Sequence, residues 1–420
     1  MSLTKTKLSV HEDWAVVILG LLTIFITLAG VLVPAPVFKW TSFPDISTLV
    51  FTSGNIEIIL FQFVFVLLIA VLGAYLTGKA IIGFIKSFTL VYVLTLLALF
   101  ITGNSFVESL NLEAVIFSLG IGLFIGNAFK LPQWFKNSLS TELFVKIGLV
   151  LLGTGVIFSN ILEAGSLGLI QALIVVLSVW YFAFWVCKKM KIDSELTMMI
   201  SSAVSICGVS AAIATSGAIK GDSKKLSYVI SMVLITAIPM MIVMPYLAHY
   251  MGLSQAVTGA WLGGSIDTTG AVVASGSLVG DEALKISTIV KFSQNVLLGL
   301  AAFAISIYWT LTQNVTVDGE RPEKPTLKVI WDRFPKFVIG FVAASLLFSF
   351  LIPGETVSRV SGSLKSLQGL WFALAFTSIG LETNFKDLFK ENSKKPLYAF
   401  LIAQGFNIIV TLIIAYFLFN

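Results

Sequence analysis

The chain has 420 residues, of which 57% are hydrophobic and only 12% are charged, and its mean hydropathy is +0.96. Soluble domains carry about 25% charged residues, so this composition excludes a soluble domain of useful size. The net charge of +5 does not point to a nucleic-acid partner, because lysine and arginine in such a chain report its topology. The sequence therefore predicts an all-α polytopic membrane protein with the lipid bilayer as its surroundings.

Apolar stretches long enough to cross a bilayer recur along the chain. The candidate spans are 14–33, 57–77, 80–101, 111–129, 143–161, 167–187, 226–250, 284–311, 336–352, 367–388 and 396–419. They amount to about 11 transmembrane helices. The blocks 197–219 and 256–280 come in addition and are rich in Gly, Ser and Thr.

These two small-residue blocks, 197–219 and 256–280, match each other without gaps, so that Ile206 aligns with Ile266. Such composition suits helices that break inside the membrane. A break is tolerated only where protein or a water-filled cavity satisfies the freed backbone groups. Two broken segments in corresponding positions are typical of the binding site of a secondary transporter.

The positions of the lysines help to decide how the two blocks run. An N-terminus in the cytoplasm places Lys79 and Lys188 inside, as the positive-inside rule requires. Lys224 stays inside only if 197–219 enters the membrane and returns. We therefore expect 197–219 to be a re-entrant hairpin, and 256–280 to enter from the opposite face, as in an inverted repeat. A spanning, unwound course for both blocks is the alternative.

The chain also divides by composition. The segment 312–335 is polar, contains three prolines and is expected to be a cytoplasmic linker. It separates a bundle at 1–311, which holds both blocks, from the C-terminal helices at 336–420. A second, weaker match pairs 152–160 with 378–384 and implies a different repeat register, which leaves the register open.

Ionisable groups at membrane depth are functional hypotheses by default. Lys291 lies about 13 Å beyond Glu282 along its helix, near the expected midplane, and Asn295 shares its face. Asp267 is the only acid within either block. We expect Lys291 and Asn295 to bind substrate and Asp267 to couple transport to H⁺ or Na⁺. A purely structural pairing of Asp267 with Lys291 is the alternative.

The broken helices themselves offer an anion cradle, because helix N-termini present unpaired N–H groups and a positive dipole end. Glycine allows a close approach of backbone to ligand, and hydroxyls add donors without adding charge. The candidate substrate-binding residues at the two tips are Ser205, Cys207, Gly208, Val209, Ser210, Ser265, Thr268, Thr269 and Gly270. Donor-rich cradles with one buried cation favour a small anion.

The remaining polar residues form no catalytic constellation. The only histidines, His11 and His249, fall at membrane edges, and the sequence has no His/Cys metal spacing. We therefore expect neither an enzyme nor a metal or organic cofactor. Gln404 and Asn407 share a face of the last helix, where we expect hydrogen bonds to another helix rather than to a ligand.

Three stretches of this sequence stand out: SICGVSAAIA at 205–214, GGSIDTTGAVVASG at 263–276 and TIVKFSQNVLLG at 288–299. They resemble the YeiH-type family of bacterial inner-membrane proteins, which is named for sulfate export. The resemblance covers most of the chain and implies efflux of sulfate or a related sulfur oxyanion. GLETNFKDL at 380–388 is similar to a motif of cation/proton antiporters and implies an elevator-type core of inverted repeats.

Together these features predict a secondary-active transporter of a small anion, an exporter of sulfate, a related oxyanion or a sulfonate, that works by alternating access. A homodimer would supply the fixed scaffold that an elevator needs. One alternative is a Na⁺/H⁺ or other cation/proton antiporter, although the blocks lack the paired aspartates typical of many sodium/proton exchangers. Another alternative is an anion channel, whose flux would be insensitive to ion gradients.

Overall fold

The computed structural model describes residues 10–109, 114–219, 221–312, 331, 334–383 and 394–420. These residues are helical and contain no strand beyond one isolated bridge between Trp40 and Asn104. Seven of the described helical segments are long and apolar enough to cross a membrane: Ser53–Leu76, Ile81–Thr102, Gln133–Gly155, Ile161–Lys189, Ser223–Tyr250, Asp281–Trp309 and Lys395–Phe419. The prediction of an all-α, multi-pass membrane protein is confirmed, and the count of about 11 spans stays a prediction.

The main helices run in the following order. They are α1 (Glu12–Leu28), α2 (Ser53–Leu76), α3 (Ile81–Thr102), α4 (Ala114–Ala128), α5 (Thr141–Leu152), α6 (Phe158–Lys189), α7 (Ser194–Ser202), α8 (Val209–Ile219), α9 (Ser223–Tyr250), α10 (Gln255–Ser265), α11 (Thr269–Val279), α12 (Asp281–Thr312), α13 (Phe337–Leu346), α14 (Gly354–Glu382) and α15 (Lys395–Phe419). Shorter helical turns occupy Phe43–Asp45, Ile46–Val50, Ser105–Ser109, Gln133–Lys136, Gly153–Gly155, Ala203–Cys207 and Leu347–Leu351.

The helices form two compact units, each built from two separate stretches of chain. Unit 1 comprises Met1–Ser159 and Lys336–Thr383, and unit 2 comprises Asn160–Pro335 and Asn384–Asn420. The units thus interleave along the sequence, whereas the expected boundaries at 1–311, 312–335 and 336–420 follow chain order. Nearly all of the linker lies outside the described residues, as do Lys220 and the end of the 380–388 motif.

In unit 1, helices α4 and α14 cross with their backbones in contact. A side chain on Gly122 would overlap the carbonyl of Thr377, and one on Gly380 would overlap the carbonyl of Leu119. Small residues allow such a close approach between membrane helices, where dispersion forces supply much of the association energy. Helix α14 therefore packs closely against α4 within unit 1.

In unit 2, the first small-residue block folds into a helical hairpin of α7 and α8. A single π-helical turn and Gly208, whose φ is +60°, make the reversal. The two ends of the hairpin lie together at its base. Glu195 accepts the backbone N–H of Asp222 at 3.0 Å, and Lys225 binds the carboxylates of Asp193 at 2.7 Å and Glu195 at 3.2 Å. The two ends of the block therefore lie together, and its re-entrant course in a membrane stays a prediction.

The second block forms a matching hairpin of α10 and α11. The side-chain oxygen of Gln255, at its start, accepts the backbone N–H of Ala283 just beyond its end, at 3.3 Å. The hairpin packs closely on α12. A Cβ on Gly259 would lie 2.8 Å from the carbonyl oxygen of Ala283, and a Cβ on Gly263 would lie 2.5 Å from that of Ser287. Glycines one turn apart thus set α10 against α12 backbone to backbone.

Helix α9 connects the two hairpins. It has 28 residues, which is long enough to cross a bilayer of about 30 Å at 1.5 Å per residue. The first hairpin ends where α9 begins, and the second starts where α9 ends. If α9 crosses the membrane, the bases of the two hairpins lie on opposite faces.

This arrangement can be tested by cysteine labelling after both native cysteines have been replaced. Single cysteines at Ser194 and Lys224 should react with a membrane-impermeant thiol reagent from one face only, because both flank the base of the first hairpin. Cysteines at Ser254 and Glu282 should react from the other face. The reactions would be compared in inverted and right-side-out vesicles. Labelling of Ser194 and Lys224 from opposite faces would mean that α7 and α8 cross the membrane.

Candidate functional site

The tips of the two hairpins meet inside unit 2. A Cβ on Gly208 would lie 3.0 Å from Cβ and 3.2 Å from the carbonyl oxygen of Asp267. This close contact and the positive φ of Gly208 both require glycine. Ser205, Cys207 and Ser265 are buried around the junction. The structure thus brings together the two blocks that match in sequence.

Lys291 on α12 binds both tips at once. Its Nζ donates to the carbonyl of Ile206 at 2.9 Å, to the carbonyl of Ile266 at 2.8 Å, and to Oε1 of Gln294 at 2.9 Å. An ammonium group has three donors, so every donor of Lys291 is used within the protein. The side chain is 1% exposed. The two carbonyls belong to residues that the sequence match places in equivalent positions.

Gln294, one turn further along α12, repeats this bridging. Its Nε2 donates to the carbonyl of Ser205 at 2.9 Å and to the carbonyl of Gly264 at 3.3 Å. Gln294 follows Lys291 by three residues in the sequence, a spacing that places two side chains side by side on a helix. Its role as a link between the hairpins was not predicted, although that spacing was the available signal.

Helix α15 supplies a third bridge from the other side. Nδ2 of Asn407 donates to the carbonyls of Val204 at 3.1 Å and Ser265 at 3.2 Å. Nε2 of Gln404 also donates to the carbonyl of Ser265, at 2.8 Å. Thr411 holds the Asn407 side chain in place through a hydrogen bond of 2.9 Å to its oxygen. Gln404 and Asn407 therefore bind protein in unit 2, which agrees with the expectation that they link helices.

These contacts satisfy backbone carbonyls that the broken helices leave without a hydrogen-bond partner. The last carbonyls of α7 and α10 have no partner within their own helices, and each helix end carries about half a negative charge. A buried acceptor without a partner costs about 1–3 kcal/mol. Side-chain N–H groups satisfy these carbonyls, and the charge of Lys291 is equal and opposite to the sum of the two helix ends.

The predicted substrate-binding residues consequently fall into two groups. Ser205, Cys207 and Ser265 lie on the buried carbonyl side, whereas Gly208, Val209, Ser210, Thr268, Thr269 and Gly270 lie at the N-terminal ends of α8 and α11. Oγ of Ser205 donates to the carbonyl of Ser201 at 2.7 Å. Its hydroxyl proton is thus directed into its own helix.

The N-terminal side of the junction is more accessible within unit 2. Ser210 is exposed, and Val209, Thr268 and Thr269 are partly exposed. Oγ1 of Thr268 caps α11 by accepting a backbone N–H of the first turn at 3.2 Å. Nδ2 of Asn295 lies 3.4 Å from Oγ1 of Thr269. Unused N–H groups of the first helical turns and two hydroxyls therefore gather where the positive ends of two helices meet.

Asp267 sits at the tip of the second hairpin, directly before the cap of α11. It is 2% exposed. Its Oδ2 has no hydrogen-bond partner, and the same holds for Oδ1 of the nearby Asn295. Among the described residues, the ion pairs do not include one between Asp267 and Lys291. The two side chains therefore do not form a direct ion pair.

Replacing Lys291 by Met should destabilise the protein, because it leaves the carbonyls of Ile206 and Ile266 without a partner. Each orphaned acceptor is expected to cost about 1–3 kcal/mol. Lys285→Met, on the same helix and partly exposed, is the matched control and should change stability by no more than about 0.5 kcal/mol. Thermal unfolding of the purified proteins in detergent measures both. Equal unfolding midpoints for the two variants would contradict the bridging role of Lys291.

Comparisons with known proteins agree with the membrane assignment. Residues 63–399 match a family model described as conserved hypothetical protein 698. A UPF0324 membrane protein of Rhodopirellula baltica is 40% identical over 396 residues, which cover 91% of this chain and 71% of that protein.

More distant relatives extend the comparison. A UPF0324 membrane protein of Nitratidesulfovibrio vulgaris is 37% identical over 83% of this chain and 61% of its own length, and one of Clostridium tetani is 25% identical over 76% and 94%. No solved structure matches the chain. From the family match and the relative in Rhodopirellula, the chain belongs to the UPF0324 membrane protein family, also described as conserved hypothetical protein 698.

Proposed function

We propose that this protein is a secondary-active transporter of a small anion, which binds at the N-terminal ends of α8 and α11. The observation that carries the proposal is the meeting of two helical hairpin tips whose carbonyl ends are neutralised by protein and whose N-terminal ends are not. Broken segments in paired positions are the usual location of a transporter's binding site.

The distribution of donors and acceptors favours an anion over a cation. Carbonyls at half-helix C-termini are the groups that hold Na⁺ in transporters of this kind. Here the equivalent carbonyls accept from Lys291, Gln294 and Asn407. N–H groups and hydroxyls remain, and these stabilise negative charge.

The finer assignment follows from the resemblance to the YeiH-type family. The substrate would be sulfate, a related sulfur oxyanion or a sulfonate, moved outward across the bacterial inner membrane, with the N-terminus in the cytoplasm. Unit 2 contains both hairpins and every candidate ligand, so it would carry the substrate in an alternating-access cycle. Unit 1, with the first helices, would be the scaffold, and a homodimer would hold it still.

A cation/proton antiporter is the second candidate, and a specific observation favours it. The unpartnered oxygens of Asp267 and Asn295 are buried acceptors, and acceptors bind a cation or a proton. In that function Asp267 would exchange ions, and Lys291 would be a fixed counter-charge. Both candidates use the same junction but differ in the sign of the substrate.

Ligand-induced stabilisation separates the two candidates. Sulfate, methanesulfonate, acetate and chloride would each be added to the purified protein during thermal unfolding, with and without Na⁺ and at several pH values. A ligand at about 100 times its Kd stabilises the folded state by about 2.7 kcal/mol. We expect stabilisation by sulfate or methanesulfonate that does not require Na⁺.

Variants then locate the ligand. Ser210→Ala and Thr269→Val should each weaken anion affinity about tenfold or more, because a hydrogen bond to a charged group contributes about 1.5–3 kcal/mol. Ser277→Ala is the control, since its hydroxyl lies in the third turn of α11 and donates to the carbonyl of Val273 at 2.8 Å.

Stabilisation by Na⁺ or pH alone, with no effect of any anion, would replace the proposal with the cation/proton antiporter.

A further inference from the structure

We propose that the carboxylate of Asp267 competes with the transported anion for the same two helix N-termini, so that each anion binds together with one proton taken up by Asp267. This inference rests on the proposed function and goes further, because it names the coupling ion and the reason for coupling. Asp267 would act as a tethered anion in the empty transporter.

The location of Asp267 supports the competition. It precedes the N-terminal cap of α11, and its Cβ lies against Gly208, which directly precedes α8. The residue is therefore placed between the first turns of both helices. Its Oδ2 has no hydrogen-bond partner, and only 2% of the residue is exposed. A buried oxygen of this kind needs a proton, a donor or a positive field.

The helix ends at the junction carry partial charges of both signs. The C-terminal ends of α7 and α10 together carry about one negative charge, which Lys291 neutralises. The N-terminal ends of α8 and α11 together carry about one positive charge. An ionised Asp267 can balance it, and so can a bound anion. Both at once leave an uncompensated negative charge in a buried place, which is strongly unfavourable.

Protonation of Asp267 removes this conflict. One H⁺ from solution adds to a carboxylate oxygen, and one anion moves from solution to the helix ends with its own bonds unchanged. A monoanion that binds with its proton leaves the net charge of the junction unaltered. The neutral carboxyl group can also donate a hydrogen bond.

A proton fits this role better than Na⁺. Na⁺ sites in such folds use carbonyls at half-helix C-termini, and here six of these carbonyls already accept side-chain N–H groups. They are the carbonyls of Val204, Ser205, Ile206, Gly264, Ser265 and Ile266. The ammonium of Lys291 thus stands where a bound cation would stand.

Four elements of unit 2 place side chains around Asp267. Helix α12 presents Lys291, whose ammonium group donates three hydrogen bonds to oxygen atoms, and the first tip presents the Cys207 thiol. Helix α9 presents Val233 at the junction, and α15 presents the amides Gln404 and Asn407. Within the described residues, Asp267 is therefore the carboxylic acid of this junction.

Proton uptake on binding tests the proposal directly. Methanesulfonate and sulfate would be added to purified full-length protein in weakly buffered detergent solution with a pH indicator, and binding would be followed by thermal unfolding of the same samples. Neither anion changes its own protonation near neutral pH. Wild type should take up about one proton per bound anion, and its affinity should fall about tenfold for each pH unit in the range where Asp267 is ionised before binding.

Asp267→Asn should bind the anion without proton uptake and with an affinity that does not depend on pH. Glu282→Gln, which changes an exposed acid outside the hairpins, should behave as wild type. Anion binding to wild type with neither proton uptake nor pH dependence would overturn the coupling and leave the proposed function standing. An absence of binding by both anions would overturn both. If Asp267→Asn does not fold, the pH dependence and proton count of wild type decide the question alone.

Discussion

Every feature of the junction in unit 2 depends on one constraint: a backbone carbonyl inside a membrane protein must be hydrogen-bonded. Two helical segments end at the junction, α7 with its π-helical turn Ala203–Cys207 and α10, and no further helical turn takes up their last carbonyls. Lys291, Gln294 and Asn407 each donate to both hairpins. Because every one of these side chains spans the two tips, the hydrogen bonds that satisfy the carbonyls also hold the hairpins together. Local backbone chemistry and long-range assembly therefore have the same cause.

The same constraint gives the junction its polarity. Donors from α12 and α15 seal the carbonyl side, where Ser205, Ser265 and their neighbours are buried. The N-terminal side keeps its N–H groups and remains partly exposed at Thr268, Thr269 and Val209. The direction of the broken helices alone places their positive N-terminal ends on one side of the junction. It places their carbonyl ends, which are neutralised by side chains, on the other. Selectivity for the sign of a ligand can thus arise from backbone geometry, with few charged side chains.

Much of this organisation could be predicted from the sequence. The gapless match of Ile206 with Ile266 predicted paired tips, and the position of Lys224 predicted a returning course for the first block. Lys291 stood out as a lone cation at depth. Its partners could not be predicted, because the acceptors are main-chain carbonyls, which no residue type reveals. The interleaving of the units was equally hidden, since Asn407 and Val204 are far apart in sequence and become neighbours only through packing.

The differences between the matched tips matter as much as their likeness. Main-chain groups at Ile206 and Ile266 have equivalent partners, so the backbone scheme tolerates many side chains at the next position. One block has Cys207 there and the other has Asp267. An acid on both tips would place two buried negative charges side by side, and an acid on neither would leave the two helix N-termini without a counter-charge in the empty state. Under the proposed coupling, a single aspartate balances the junction, and its unpartnered Oδ2 leaves that balance open to exchange with a ligand.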